Sequence, residues 1–253
     1  MKEVSYMDIH NEGITAFESD MFVHLHDSKL LIRYDSNLIA FKRMPNVQEF
    51  SKTEKYLHDY HLERNQKHLK FTFPPNEKIE KEVLAKLISE GYDIGFTELY
   101  TINPLNFPKV KKQPEIEVVP VSDSELEDFL ALSYQQDSIY GSEFAARKRE
   151  NNKLHFENSK FWQVLAYYDG IPAGGLEIII QDQTVEIDGL FVLSEFQRKK
   201  VAAHMQQLVM ESFPDKTVIL VADGEDTPKE MYKKQNYQYA GFRYEAVKVL
   251  PNN

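Results

Sequence analysis

EFQRKKVAAHM, residues 195–205, contains a helix start. Val201, Met205, Leu208, Val209 and Phe213 fall at i, i+4, i+7, i+8 and i+12, which is the spacing of one apolar helical face. Pro214 stops the run. The helix therefore begins on Arg198, Lys199 and Lys200. A helix N-terminus is the positive end of the backbone dipole, where an exposed cation costs about 0.3–1 kcal/mol. Ser, Thr, Asp or Asn would instead cap the free amides there. Cations in place of a cap predict an anionic ligand, because the unpaired N–H groups of a first turn form a ready anion site. Ala202 and Ala203 leave room for close approach to the backbone, and Arg198 and Lys199 can add charge-assisted contacts to phosphate.

Around this start the pattern alternates between strands and helices. FWQVLAYYDG (161–170), AGGLEIIIQ (173–181) and TVEIDGLFVL (184–193) precede it as three strand candidates joined by short turns. TVILVAD (217–223) follows and is continuously apolar, as suits a strand buried on both faces. A helix over PKEMYKKQ (228–235), Asn236 and a last strand GFRYEAVKVL (241–250) complete the series. Upstream lie a strand EIEVVPV (115–121), a capping box of Ser124 and Glu127 before the helix ELEDFLALS, and a polar helical region from Ser142 to about Asn158.

The first half has its own set. KLLIRYD (29–35) and LIAFKR (38–43) read as a hairpin turned at Ser36-Asn37. A helix over 47–64, the strand HLKFTF (68–73), a helix over 79–90, Gly91 and the strand GFTELYTI (95–102) follow. Residues 102–115, with three prolines, three lysines and no apolar period, read as a linker between domains 1–112 and 115–253. The halves echo one another: LISEGYDIGFTELYTI and KKQNYQYAGFRYEAVKV each end a helix at Gly or Asn, continue with Tyr and enter a strand at Gly-Phe. PPNEKIEKE, after HLKFTF, is acidic, so the first half shows no comparable cationic helix start.

In this order and spacing, about residues 115–250 resemble the GNAT superfamily of acyl-CoA-dependent N-acyltransferases. The strand ends Leu190-Phe191-Val192, like the family's L-Y-V tripeptide, and the loop Gln197-Arg198-Lys199-Lys200-Val201-Ala202 matches its phosphate loop at Gln197 and Ala202. Lys200 stands where the family has its first glycine. Tyr232, Lys234 and Asn236-Tyr237 match the later helix, with Asn for Gly.

The resemblance implies a mixed, mostly antiparallel central sheet flanked by helices, an α/β (α+β) fold, with a second, smaller GNAT-like domain in the first half. It implies acetyl-CoA as co-substrate and an amine as acceptor. The backbone of Phe191 and Val192 would pair with the pantetheine arm, and Gly189 suits a bulge or close approach. The segment Gln197 to Ala203 would hold the pyrophosphate through the amides of 198–203. Tyr232 would protonate the departing thiolate, and Glu186 or Asp188, on one strand face, would accept the amine proton. The competing reading is a non-catalytic acyl-CoA sensor or interaction module.

Composition narrows the classes further. A net charge of -10 argues against a general nucleic-acid binder and slightly favours a cationic acceptor. The absence of cysteine excludes disulfides, thiolate metal sites and a Cys nucleophile. No run of about 18 apolar residues is present, so no membrane partner is expected and the chain reads as cytoplasmic. His24 with His26 and His58 with His61 have metal-compatible spacing but no evident third ligand, so no metal is expected. An oligomer is compatible with the sequence, and the acceptor's identity is not encoded in a recognisable motif.

Overall fold

A computed structural model describes residues 4–225 and 229–251. Its contacts divide the chain into two compact units. One holds Tyr100–Val221 and the segment ending at Tyr239; the other holds Ser5–Leu99 and the chain from Ala240 onward.

In the first of these units the strands are β6 (Ile116–Pro120), β7 (Phe161–Tyr168), β8 (Ile171–Ile180), β9 (Thr184–Val192) and β10 (Thr217–Asp223), ordered β10-β9-β8-β7-β6. All neighbours are antiparallel except β9 and β10, which run parallel. The helices are α3 (Leu126–Asp137), α4 (Ser142–Phe156), α5 (Val201–Ser212) and α6 (Lys229–Lys234). Pro228, the expected start of α6, lies outside the described residues.

Two consecutive glycines show how the layers form. A Cβ on Gly174 would meet Met205 of α5, and one on Gly175 would meet Phe129 of α3. Successive strand residues point to opposite faces, so α3 and α5 cover opposite faces of this sheet. Phe129, Leu130, Leu132 and Leu165 form the core on the α3 side. The capping box expected of Ser124 and Glu127 does not form, and no side chain caps α3; the Glu125 carboxylate instead folds back onto Ser122 and Ser124. Ser122 N donates to the Glu125 carboxylate at 3.0 Å, and bonds from Ser122 and Ser124 hold that carboxyl at about 2.

The other unit contains β1 (Ile14–Glu18), β2 (Phe22–His26), β3 (Leu38–Phe41), α1 (Val47–Leu62), β4 (His68–Thr72), α2 (Lys81–Ser89), β5 (Asp93–Ile102) and β11 (Gln238–Val249). Its strand order is β1-β2-β3-β4-β11-β5. Phe41, Phe50, Phe71 and Phe73 form its centre, with Phe50 and Phe71 rings 5.0 Å apart.

Three expectations change here. The units are not contiguous in sequence: the last strand, expected within 115–253, pairs antiparallel with β4, Glu245 opposite Thr72 and Val249 opposite His68. The hairpin strand expected at 29–35 does not form; β2 takes its place beside β3. Asn37, fully buried, donates its side-chain N–H groups to the carbonyls of Leu30 (3.1 Å) and Arg33 (2.9 Å), and these local bonds hold 29–35 in turns instead of a ladder. The expected linker is tied down as well, since Val110 N donates to Gln207 Oε1 and Asn236 Nδ2 to Asn106 O, both at 2.8 Å.

The echo between the halves is structural. Each unit has a parallel strand pair, β3–β4 or β9–β10, with a helix between its members. Gly91 (φ +77°) and Asn236 (φ +66°) both end a helix in the left-handed region. Tyr92 N then donates to Leu87 O and Tyr237 N to Tyr232 O, the same six-to-one closure. By this equivalence the counterpart of α5 is α1, not the acidic α2.

The expected histidine pairs meet in a different grouping. His24 and His26 of β2, His61 of α1 and His68 of β4 are all buried in one cluster, the His24 and His61 rings 6.3 Å apart. Burial pushes His24 and His68 down to about 4 and His61 to about 3. Among the described residues no group of three or more His, Cys, Asp or Glu is arranged to hold a metal ion.

Candidate active site

β9 and β10 pair in parallel register from Thr184 with Thr217 to Ile187 with Leu220. Past that point a cleft of about 380 Å³ opens, bordered by the β9 residues 186–192, Leu220, Val221, Ala202, Met231 and Tyr232. A bulge turns β9 at this place. Gly175 lies opposite Phe191 and Glu177 opposite Asp188, so β9 carries one extra residue. Gly189 (φ +58°) supplies the left-handed step that the bulge needs. The expected bulge at Gly189 is therefore present, and Leu190 to Val192 border the cleft just past it.

The start of α5 closes one end. Lys200 is its N-cap residue at φ +70°, with no side chain capping the first turn, and Arg198 sits at φ +60°. The left-handed conformation costs a residue with a Cβ about 1–2 kcal/mol. Lys200 thus adopts the conformation that glycine would supply, and two strained residues within three mark a loop held for something other than stability. The amides of the first turn have no intrahelical acceptor. His204 Nδ1 donates to Lys200 O at 2.9 Å and fastens the turn from behind.

The individual side chains separate into groups. Ala202 and the β9 residues Phe191 and Val192 border the cleft. Val201 is buried, 1% exposed, so only its amide can serve a ligand. Gln197 Nε2 donates to Val192 O at 3.2 Å, tying the loop to the strand end. Lys199 Nζ lies 4.3 Å from the centre of the Tyr168 ring, a cation–π contact. Arg198, Lys200 and Lys199 are exposed and Ala203 half-buried.

Tyr232 borders the cleft from α6, 8% exposed, its ring 4.9 Å from Tyr100 and 5.4 Å from Tyr237. Tyr237 donates its hydroxyl to Gln206 at 2.8 Å, and burial pushes that phenol far above its usual range. Glu186 (5% exposed) and the half-buried Asp188 both border the cleft. Only Asp188 also borders a second cavity, about 230 Å³, lined by Phe129, Leu176, Glu177 and Phe191 among others.

Glu177 went unnoticed in the sequence. It is 8% exposed and accepts from His155 Nδ1 at 2.7 Å and Gln163 Nε2 at 3.0 Å. The signal was present in AGGLEIIIQ: a carboxylate inside an apolar strand must find partners, because an unpaired buried charge is too costly to keep. The partners, 22 and 14 residues away, are supplied by the fold.

Residues 124–237 match the Acetyltransferase (GNAT) family, and residues 4–100 match a domain of unknown function, DUF5613. Among solved structures, a functionally unknown conserved protein from Staphylococcus epidermidis is 30% identical with a TM-score of 0.91, covering 98% of this chain and 99% of its own. A GCN5-related N-acetyltransferase from Kribbella flavida is 13% identical, with a TM-score of 0.61 over 95% of this chain and 90% of its own. A tandem GNAT protein from the clavulanic acid biosynthesis pathway is 10% identical, with a TM-score of 0.55 over 92% and 80%. At such identities these last two share the fold. No curated protein matches.

Proposed function

The C-terminal half of the chain belongs to the GNAT superfamily, and we propose that it transfers the acetyl group of acetyl-CoA to a primary amine. The observation that carries the proposal is the uncapped, left-handed start of α5, which opens onto the cleft where β9 and β10 part. The residues fit the co-substrate. Amides 198–203 offer unsatisfied donors to a pyrophosphate, and the β9 edge at Phe191 and Val192 offers backbone groups to an extended pantetheine arm. Ala202 leaves the space between them open. A bound acetyl-CoA supplies the thioester carbon that the amine attacks.

In the transfer a C–N bond forms and a C–S bond breaks. The ammonium nitrogen releases two protons in all. The Tyr232 hydroxyl gives its proton to the leaving sulfur and regains one from the nitrogen; the nitrogen's other proton goes to a carboxylate and on to solvent. Asp188 is better supported than Glu186 as a group near the acceptor, because it borders both cavities. No described helix is long and apolar enough to cross a membrane, and the proposal places the enzyme in the cytoplasm.

Thermal unfolding with acetyl-CoA, CoA and 3′-dephospho-CoA tests the proposal. Millimolar acetyl-CoA and CoA are expected to raise Tm, dephospho-CoA less. No stabilisation by any of the three removes the co-substrate. Stabilisation without turnover of any amine leaves the acyl-CoA sensor.

A further inference from the structure

The cavity beyond the Gly189 bulge lies among α3, α4, β8 and β9, and it shares the wall Asp188 to Phe191 with the first cleft. Its volume of about 230 Å³ is below the ~300–1,000 Å³ of sites that enclose drug-sized ligands, so its occupant is small. Phe129, Leu176 and Phe191 give it an apolar body. Its polar end has an unusual arrangement. Glu177 and Asp188 are register partners on adjacent antiparallel strands, so their side chains leave the same face. Like charges placed directly opposite destabilise a sheet, and a cation between them removes the repulsion. Lys148 and Asp137 also border the cavity. Burial raises the Asp137 carboxyl above its usual range, and Lys148 offsets part of that rise.

Glu177 is held from behind. His155 Nδ1 donates to one of its oxygens and Gln163 Nε2 to the other, while Gln163 also donates to Asn152 O at 2.9 Å. His155 stacks on Phe161, ring centres 3.7 Å apart, and its Nε2 accepts from Asn151 Nδ2 at 3.0 Å. The contact with a carboxylate places a proton on His155 Nδ1, facing Glu177. Each Glu177 oxygen keeps a second lone pair for a ligand. A buried carboxylate is costly to desolvate. An apolar residue would fill this strand position without that cost, so the carboxylate and its supports point to a use.

We propose, on the reading that the first cleft holds an acyl-CoA, that this cavity takes a small primary ammonium with an apolar body and that Glu177 receives its proton. An N–H bond of the ammonium breaks, the proton goes to a Glu177 oxygen, and the electron pair stays on nitrogen, which becomes the nucleophile. Glu177 passes the proton to solvent after the amide leaves. His155 and Gln163 are positioning residues.

The test uses the full chain, with 2-phenylethylamine and isopentylamine as probes, the corresponding neutral alcohols as controls, and acetyl-CoA in a separate arm. By calorimetry both amines are expected to bind at least tenfold more tightly than their alcohols. Glu177→Gln is expected to weaken amine binding tenfold or more and leave acetyl-CoA affinity unchanged. Wild-type amide signals of Ser133, Gln136 and Leu176 are expected to shift with amine, which decides the site even where the variant does not fold. For turnover, Glu177→Gln is expected to lower kcat/KM about 100-fold. His155→Asn is expected to lower kcat more than it raises KM and to displace the acidic limb of the pH profile. Equal binding of amine and alcohol, or a Glu177→Gln protein with wild-type amine affinity, overturns the ligand class. Wild-type protein that binds amine and acetyl-CoA together yet forms no amide, or equal turnover in the variant, overturns the proton transfer. Acetyl-CoA binding without amine binding sinks this inference and spares the co-substrate. Amine binding without acetyl-CoA binding does the reverse.

Discussion

α1 and α5 begin in opposite ways. α1 starts on Asn46, whose side chain accepts from Glu49 N at 3.0 Å while the Glu49 carboxylate accepts from Asn46 N at 2.9 Å. Arg43 pairs with that carboxylate, and its guanidinium holds Glu49 at about 2. α5 starts on left-handed Lys200 with no side-chain cap. One residue past N1 stands Gln48 in α1 and Ala202 in α5. On the following helix Leu87 of α2, 0% exposed, occupies the place of Tyr232 in α6, as the matched closures of Tyr92 and Tyr237 show. A strand–helix–strand–helix order, β3-α1-β4-α2 or β9-α5-β10-α6, is the frame common to both units. In one, the helix start is satisfied by its own chain and the phenol is replaced by an aliphatic side chain. In the other, the amides are left open and the phenol is present. The frame is thus separable from the chemistry, and three positions per unit carry the difference.

The largest effect that can break this comparison is at the phenol. Tyr232→Phe keeps the ring against Tyr100 and Tyr237 and removes only the hydroxyl. It is expected to lower kcat by about 10²–10⁴ with acetyl-CoA affinity unchanged. Steady-state rates with a competent amine decide it; a variant as fast as wild type would reduce Tyr232 to a packing residue like Leu87.

Acid separates the units next. The folded pKa values of His24, His61 and His68 lie below the ordinary 6.5, so the unfolded chain takes up protons first. Their contribution is complete above about pH 6.5 and is lost as pH falls, down to about 4 for His24 and His68 and about 3 for His61. Each ring is expected to cost on the order of 2 kcal/mol by pH 5. Denaturant titrations at pH 7.5 and 5, with hydrogen exchange to localise the loss, are expected to show the unit containing α1 opening first. Uniform loss in both units contradicts this.

The smallest effects are at the helix starts and have opposite signs. Asn46→Ala removes a cap and is expected to cost about 1 kcal/mol. Lys200→Gly relieves a left-handed residue and is expected to stabilise by about 1 kcal/mol while keeping acetyl-CoA affinity. Urea midpoints measure both. A destabilised Lys200→Gly protein would mean that the lysine side chain contributes more than its backbone strain costs.

What could be read from the sequence was local. The cationic start at 198–200, the bulge glycine at 189, the left-handed Gly91 and Asn236, and Tyr232 each depend on neighbours within one turn or one strand. What could not be read depends on register between distant segments. Nothing in GFRYEAVKVL says that it will lie against HLKFTF, and so the linear boundary at 113–114 did not anticipate the interleaved units. KLLIRYD has strand composition, yet buried Asn37 captures its carbonyls. The pairing of Glu177 with Asp188 requires the bulge to be placed first, because a one-residue slip reverses every side chain. The cationic start also had to be compared with α1, which only the matched parallel strand pairs identify.

The central claim is that a polyphosphate belongs at the start of α5 and not at the start of α1. Calorimetric titration of acetyl-CoA into wild type, Ala202→Leu and Gln48→Leu tests it most directly. Leucine at 202 fills the space beside the open amides, whereas leucine at 48 stands at a helix start already capped. Loss of at least 100-fold in affinity for Ala202→Leu, with Gln48→Leu equal to wild type and all three proteins folded, is the predicted result. Wild-type affinity in Ala202→Leu, or a loss confined to Gln48→Leu, would contradict it.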